Sequence, residues 1–209
     1  YKARKFTDAN GFKNMVCCGG NGCVIDNELV ENIPLDKDGC IKIIHQAEEL
    51  GYGWCVALDD TKDVYMTDDK FLRQVGKRKE PTRYIIDDML EVEKADAIYK
   101  VYVAIPKEDE EKLTTKELVG HLRFEPEYLM FQPDNKRGGI VKMMEHLGAD
   151  IKDVVVFGDD YNDMDMFCKD WFSIAMGNGC QDLKDIASYV TDTNVNDGIK
   201  KACEHFEWI

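Results

Sequence analysis

Positive charge is scarce in this chain: 27 Lys and Arg stand against 41 Asp and Glu among 209 residues, a formal net charge of -14. That deficit argues against nucleic acid or an anionic membrane surface as a main partner, since both attract cationic surfaces. Apolar runs of the roughly 20 residues that span a bilayer are missing, as is a signal-peptide pattern, so the cytoplasm is the expected location. Histidine is rare, at 4 residues, and none of the 8 Cys falls in a CxxC pair. A disulfide framework or a zinc site would need other spacings, and contexts such as Val16-Cys17-Cys18 and Trp54-Cys55-Val56 read as reduced thiols filling apolar cores. Repeats and low-complexity tracts are absent as well.

What the chain does have is one abrupt change of character, in Val154-Val155-Val156-Phe157-Gly158-Asp159-Asp160-Tyr161-Asn162-Asp163. Four apolar residues bounded by Gly predict a strand buried on both faces, as in a parallel sheet covered by helices. Ligands collect beyond the carboxyl ends of such strands. Asp159, Asp160 and Asp163 then crowd one turn, where a hard cation held by oxygen would relieve their repulsion, and Mg²⁺ suits such ligands. A solvated acidic loop, with Asp160 or Asn162 capping the next helix, accounts for the same ten residues.

Along the chain, Tyr1 to Asn10 reads as the end of a helix, which implies residues before it, and Lys13 to Cys18 reads as a short buried strand. Cys23 to Val30 forms a hairpin turning at Asp26-Asn27, and Pro34 marks a boundary. Residues 36–132 then read as αββαβαββ: a helix from Asp36 to Leu50, strands at 53–59 and 63–66, and a helix from Asp68 to about Lys79. A strand at 98–105, a charged helix after Pro106 and strands at 119–124 and 127–131 follow, while 81–95 carries no clear pattern. This α+β unit lacks continuous apolar strands. From residue 133 the style returns to α/β, with a helix from Gly138 to Leu147, the acid-tipped strand, a helix at 164–168, a strand at 172–176, a helix at 182–187, a strand at 189–191 and a helix at 198–206.

Five segments in order then carry a resemblance: Lys136-x-Gly138-Gly139-Ile140, Gly158-Asp159-Asp160-Tyr161-Asn162-Asp163, Ile174-Ala175-Met176-Gly177-Asn178, Val190-Thr191-Asp192 and Asp197-Gly198-Ile199. Together with Asn21-Gly22 and the αββαβαββ unit, they resemble the Cof-type branch of the haloacid dehalogenase-like hydrolases over nearly the whole chain. The resemblance implies a Rossmann-like parallel-sheet core made of residues 1–35 and 133–209, with an inserted α+β cap at 36–132. It implies a Mg²⁺-dependent phosphatase acting on a small phosphorylated metabolite, such as a sugar phosphate, through an aspartyl-phosphate intermediate, in a monomer or weak homodimer.

By the same resemblance, Asp159 binds the metal directly and Asp163 holds it through water or orients its shell. Asn162 donates to a phosphate oxygen, and Lys136 reaches the phosphoryl group and offsets charge that opposes anionic attack. Asn178 has two readings, support for these groups or a turn former after Gly177. The chain departs from the family in one respect: the DxDG segment that supplies the nucleophile and general acid is missing, and so is the Thr/Ser-Gly-Arg segment. The resemblance therefore implies that both lie before Tyr1, alongside core strands one and two. The alternative is a non-catalytic phospholigand-binding or interaction protein that has lost them. Trp54, Arg73, Arg83 and Lys100 are candidates for substrate contact that also read as ordinary core or surface residues.

Overall fold

The computed structural model describes residues 3–77 and 81–209, and the chain divides into two compact units, Tyr1–Asp134 and Asn135–Ile209. Unit one opens with α1 (Arg4–Asn10), stopped by Gly11 in the left-handed conformation, where a side chain would be strained. The expected helix began at Tyr1, which lies outside the described residues. Next come β1 (Met15–Cys17), β2 (Gly22–Ile25) and β3 (Glu28–Asn32), an antiparallel meander. Asp26 and Asn27 both take positive φ, 48° and 69°, as the primed hairpin turn between β2 and β3 requires. The strand expected at Lys13 to Cys18 is shorter and only half-buried.

A six-stranded sheet follows, built from β4 (Trp54–Ala57), β5 (Asp63–Met66), β6 (Arg83–Ile86), β7 (Lys100–Val103), β8 (His121–Glu125) and β9 (Tyr128–Phe131), in the order β6-β5-β4-β7-β9-β8. Its helices are α2 (Lys37–Glu49), capped by Asp36 accepting from the Gly39 amide, and α3 (Lys70–Val75). The helix expected to reach Lys79 stops at Gly76, and Lys79 itself lies outside the described residues.

Alternation along the central strands explains how the sheet is packed. Trp54, Val56, Val101, Val103, Leu129 and Phe131 face α2, where Cys40, Ile43, Ile44 and Ala47 complete one core. The intervening Cys55, Tyr102, Tyr128 and Met130 face the other way and pack with Phe71 of α3. Both faces are covered, so β9 is buried at all four positions, contrary to the expected lack of continuous apolar strands. Strand β6 was not legible in the sequence. It is a half-buried edge strand, parallel to β5, whose Arg83 forks onto the Asp63 carboxylate. The charged helix expected after Pro106 is instead a 3₁₀ segment, Lys107–Lys112, whose acids are drawn to separate partners: Asp109 to Lys112, Glu110 to Arg123 and Glu111 to Lys116.

One close approach in this unit admits no side chain. Gly19 has φ +64°, and a Cβ there would lie 1.7 Å from the Pro133 carbonyl oxygen. Gly19→Ala is expected to destabilise the fold by roughly 2–5 kcal/mol, combining left-handed strain with a forced backbone shift. A denaturant midpoint equal to the parent's would show that the approach relaxes freely.

Unit two holds α4 (Lys136–Leu147), β10 (Val155–Gly158), β11 (Phe172–Ala175), α5 (Gln181–Ile186), β12 (Tyr189–Val190) and α6 (Gly198–His205). The strands form the expected parallel sheet in the order β10-β11-β12. Burial along β10 alternates, with Val156 buried and Val155 and Phe157 half-buried, so it is less enclosed than its apolar run predicts. Ile140, Val141 and Val156 pack with Phe167, Trp171 and Leu183 in this unit's core. Among the described residues no helix is long and apolar enough to cross a membrane.

Candidate active site

The parallel register sets Gly158 opposite Ala175, so the turns after β10 and β11 leave the sheet side by side. The first turn is a 3₁₀ segment, Tyr161–Met166, with Asp160 as its N-cap. Asp160 and Asp163 form a reciprocal capping box: Asp160 receives a backbone amide of the first turn, and the Asp163 Oδ2 accepts from the amides of Asp159 at 3.0 Å and Asp160 at 3.3 Å. Asp160 is thus the N-cap that the capping reading expected. Gly158 is what lets the turn close so tightly, since a Cβ there would lie 2.8 Å from that of Asp163.

Lys136 is the first residue of α4, where a cation opposes the helix dipole. Its ammonium is held 2.6 Å from the other Asp163 oxygen, Oδ1, so the lysine is committed to this turn and is not a freely solvated side chain. Asn135 caps α4 by accepting from the Gly138 amide, which fixes where Lys136 departs. Asp163 is buried, with both oxygens engaged, whereas Asp159 is exposed. The Asp159 Oδ2 accepts from the Asn178 side chain at 3.3 Å, and the Asp159 carbonyl accepts from the Cys180 amide at 2.9 Å. Asn178 in turn accepts the Asn194 amide at 2.9 Å, tying three loops together. Asn162 is half-buried in the same first turn.

Lys136, Asp159 and Asp163 thus meet in one place, and Asn178 joins them through Asp159. Sequence spacing could not settle Asn178's part, because the link depends on the β10 to β11 register. The donor set suits a hard cation at Asp159, which has one oxygen steadied by Asn178 and lies open. Asp163 suits only an outer role, because its oxygens are already taken by the lysine and two amides. Among the described residues no three His, Cys, Asp or Glu side chains gather as a complete metal cage.

Of the four substrate-contact candidates, three have structural partners. Trp54 is buried and donates to Glu48, Arg73 pairs with Asp69, and Arg83 pairs with Asp63. Lys100 lines a cavity in unit one. All eight Cys are free thiols, and only Cys23, Cys40 and Cys55 are fully buried as core fillers.

Solved structures share this fold. The chain superposes with a TM-score of 0.80 on a hypothetical protein from Geobacillus kaustophilus HTA426, at 21% identity over 99% of this chain and 81% of that one. It superposes at 0.73 on the sugar phosphatase BT4131, at 21% identity over 99% and 80%. In sequence, 72 residues are 39% identical to the 5-amino-6-(5-phospho-D-ribitylamino)uracil phosphatase YcsE of Bacillus subtilis, covering 34% of this chain and 29% of that protein. A phosphoglycolate phosphatase of Methanosarcina acetivorans is 40% identical over 78 residues, 36% of this chain and 34% of its own length. The matched stretch thus spans about a third of those two relatives. The family description that matches residues 1–203 is haloacid dehalogenase-like hydrolase, and with that span the chain belongs to the haloacid dehalogenase-like hydrolase family.

Proposed function

We propose that this protein hydrolyses phosphate monoesters of small metabolites. The observation that carries the reading is the Lys136 ammonium, fixed by Asp163 beside the exposed Asp159 at the end of a parallel strand. A phosphoryl group bears two negative charges, and a preorganised cation stabilises charge as it shifts during transfer. Lys136 supplies that cation, Asp163 aims it, and Asn162 donates to a phosphate oxygen. Mg²⁺, held by Asp159 directly and by Asp163 through its shell, would neutralise phosphate charge when bound. Residues 36–132 act as a cap that chooses the leaving group, and residues 1–35 with 133–209 form the core. The nucleophilic carboxylate of the family's mechanism is not assigned to any residue described above. A relative's name supports a phosphorylated sugar or sugar-like substrate, BT4131 being a sugar phosphatase. No contact described above favours the binding-only alternative.

The test is phosphate release by the natural protein from a panel of phosphorylated sugars, nucleotides and cofactors, run beside Asn178→Ala. Release is expected from at least one sugar-like phosphate. The variant should lose about 10-fold or more, the usual scale for removing a group that orients a metal ligand. No release from any member of the panel would count against hydrolysis, and an unchanged Asn178→Ala would make that residue a turn former only.

A further inference from the structure

Two backbone amides in the first turn of α4 are taken up by side chains, and the two acceptors come from different directions. Asn135, the cap, accepts from the Gly138 amide at 3.0 Å. The other acceptor lies outside the helix: Asp165 Oδ2 accepts from the Arg137 amide at 3.0 Å, across 28 residues of sequence. Amides at a helix start have no partner within the helix, and a carboxylate there is both bonded and favoured by the dipole. Three bonds thus dock the start of α4 onto the segment 163–170: the Lys136 ammonium to Asp163, the Arg137 amide to Asp165 and the Arg137 guanidinium to Asp170.

These bonds differ in what they fix. The Arg137 to Asp170 pair joins two side chains that are both about half exposed, and such pairs hold little. The Lys136 to Asp163 bond fixes only the far end of a flexible stem. Asp165 grips the main chain itself, one residue from the point where that stem departs. Its own base is firm, because Met164 and Met166 on either side of it pack into the core with Phe167 and Trp171, and the Trp171 indole donates to the Met166 carbonyl at 2.7 Å. The second Asp165 oxygen, Oδ1, is buried and receives no donor among the described residues. The Arg137 amide is therefore the one contact through which this carboxylate acts on α4.

We propose that Asp165 is a positioning residue for Lys136, setting the root of the lysine while Asp163 aims its tip. The inference rests on the proposed function, since it concerns the cation that this reading assigns to phosphoryl transfer. With both ends held, the ammonium stands where charge shifts during the reaction and loses little freedom on meeting it. With the root released, α4 can slide on the segment 163–170 and carry the ammonium off line, although the bond to Asp163 can still form through a different stem conformation.

The experiment is steady-state hydrolysis of a phosphate monoester turned over by the natural protein, measured beside thermal melts for Asp165→Ala, Asp165→Asn, Lys136→Met and the double variant Asp165→Ala with Lys136→Met. Asp165→Ala is expected to lower kcat about 10-fold, part of the 10²-fold that a displacement of about 1 Å can cost. Asp165→Asn removes the same charge but keeps an oxygen for the Arg137 amide, and its kcat should stay within about 2-fold of the parent's, as for an acceptor retained. In the double variant the loss should match that of Lys136→Met alone to within about 2-fold, because a residue that acts through the lysine has nothing left to position. A role in folding alone would multiply the two losses. Should Asp165→Ala fail to fold, Asp165→Leu fills the same space without an acceptor and takes its place. A parent-like kcat in Asp165→Ala, an Asp165→Asn as slow as Asp165→Ala, or losses that multiply would each overturn the inference while leaving the hydrolase reading untouched. Parent-like kinetics in Lys136→Met would instead overturn the reading of the lysine and this inference with it.

Discussion

Lys136→Met is expected to lower turnover of a phosphate monoester about 100-fold or more, the scale of losing one preorganised charge from a developing anion. Methionine keeps most of the stem's length, so packing at the start of α4 changes little. What disappears is the ammonium 2.6 Å from Asp163 Oδ1. The partner left behind still accepts two backbone amides through its other oxygen, which keeps the turn after β10 in place. Folding should therefore survive with a loss of about 1–3 kcal/mol for the oxygen left without its donor. Steady-state kinetics alongside thermal melts separate the two effects. Parent-like kinetics would return Lys136 to the status of an ordinary surface lysine, whatever the melts show.

Asp159→Asn is expected to abolish turnover while leaving the fold intact. The side chain is exposed and one oxygen already receives the Asn178 amide, so an isosteric amide fits the space and removes only the charge. Asp159, Asp160 and Asp163 share one turn, and relieving that crowding should hold or slightly raise the melting temperature without Mg²⁺. With Mg²⁺ the order should reverse, since only the parent gains binding energy from the ion. Turnover that persists in chelator, or in the variant, would remove the cation from the reading.

Much of this was legible in the sequence because periodicity and end signals agreed. The α2 helix, the hairpin at Asp26-Asn27 and the parallel strand ending at Gly158 each combine an apolar pattern with a stop signal. Strand β6 lacked both: Arg83-Tyr84-Ile85-Ile86 is a short edge segment whose place is set by parallel pairing with β5 and by Asp63, neither visible locally. The acids after Pro106 read as helix by composition, but Glu110 and Glu111 are held by Arg123 and Lys116, which lie outside that stretch. At the site, Lys136, Asp159 and Asp163 were named from motif resemblance. The bond between Lys136 and Asp163 and the Asn178 tether needed three dimensions, because they join segments 27 and 19 residues apart.

The contact between Gly19 and Pro133 bears on how such a chain could be rearranged. Residues far apart in sequence meet where the intervening segment begins and ends, so that segment leaves and returns through a single doorway. A segment with adjoining ends can be excised, or supplied from another gene, at little cost in chain entropy, since a short link replaces it without stretching its neighbours. Residues 20–132 also carry both faces of the six-stranded sheet's core within themselves. Because β1 also pairs with β2 inside this stretch, an exchange of the piece would have to carry β1 along with it.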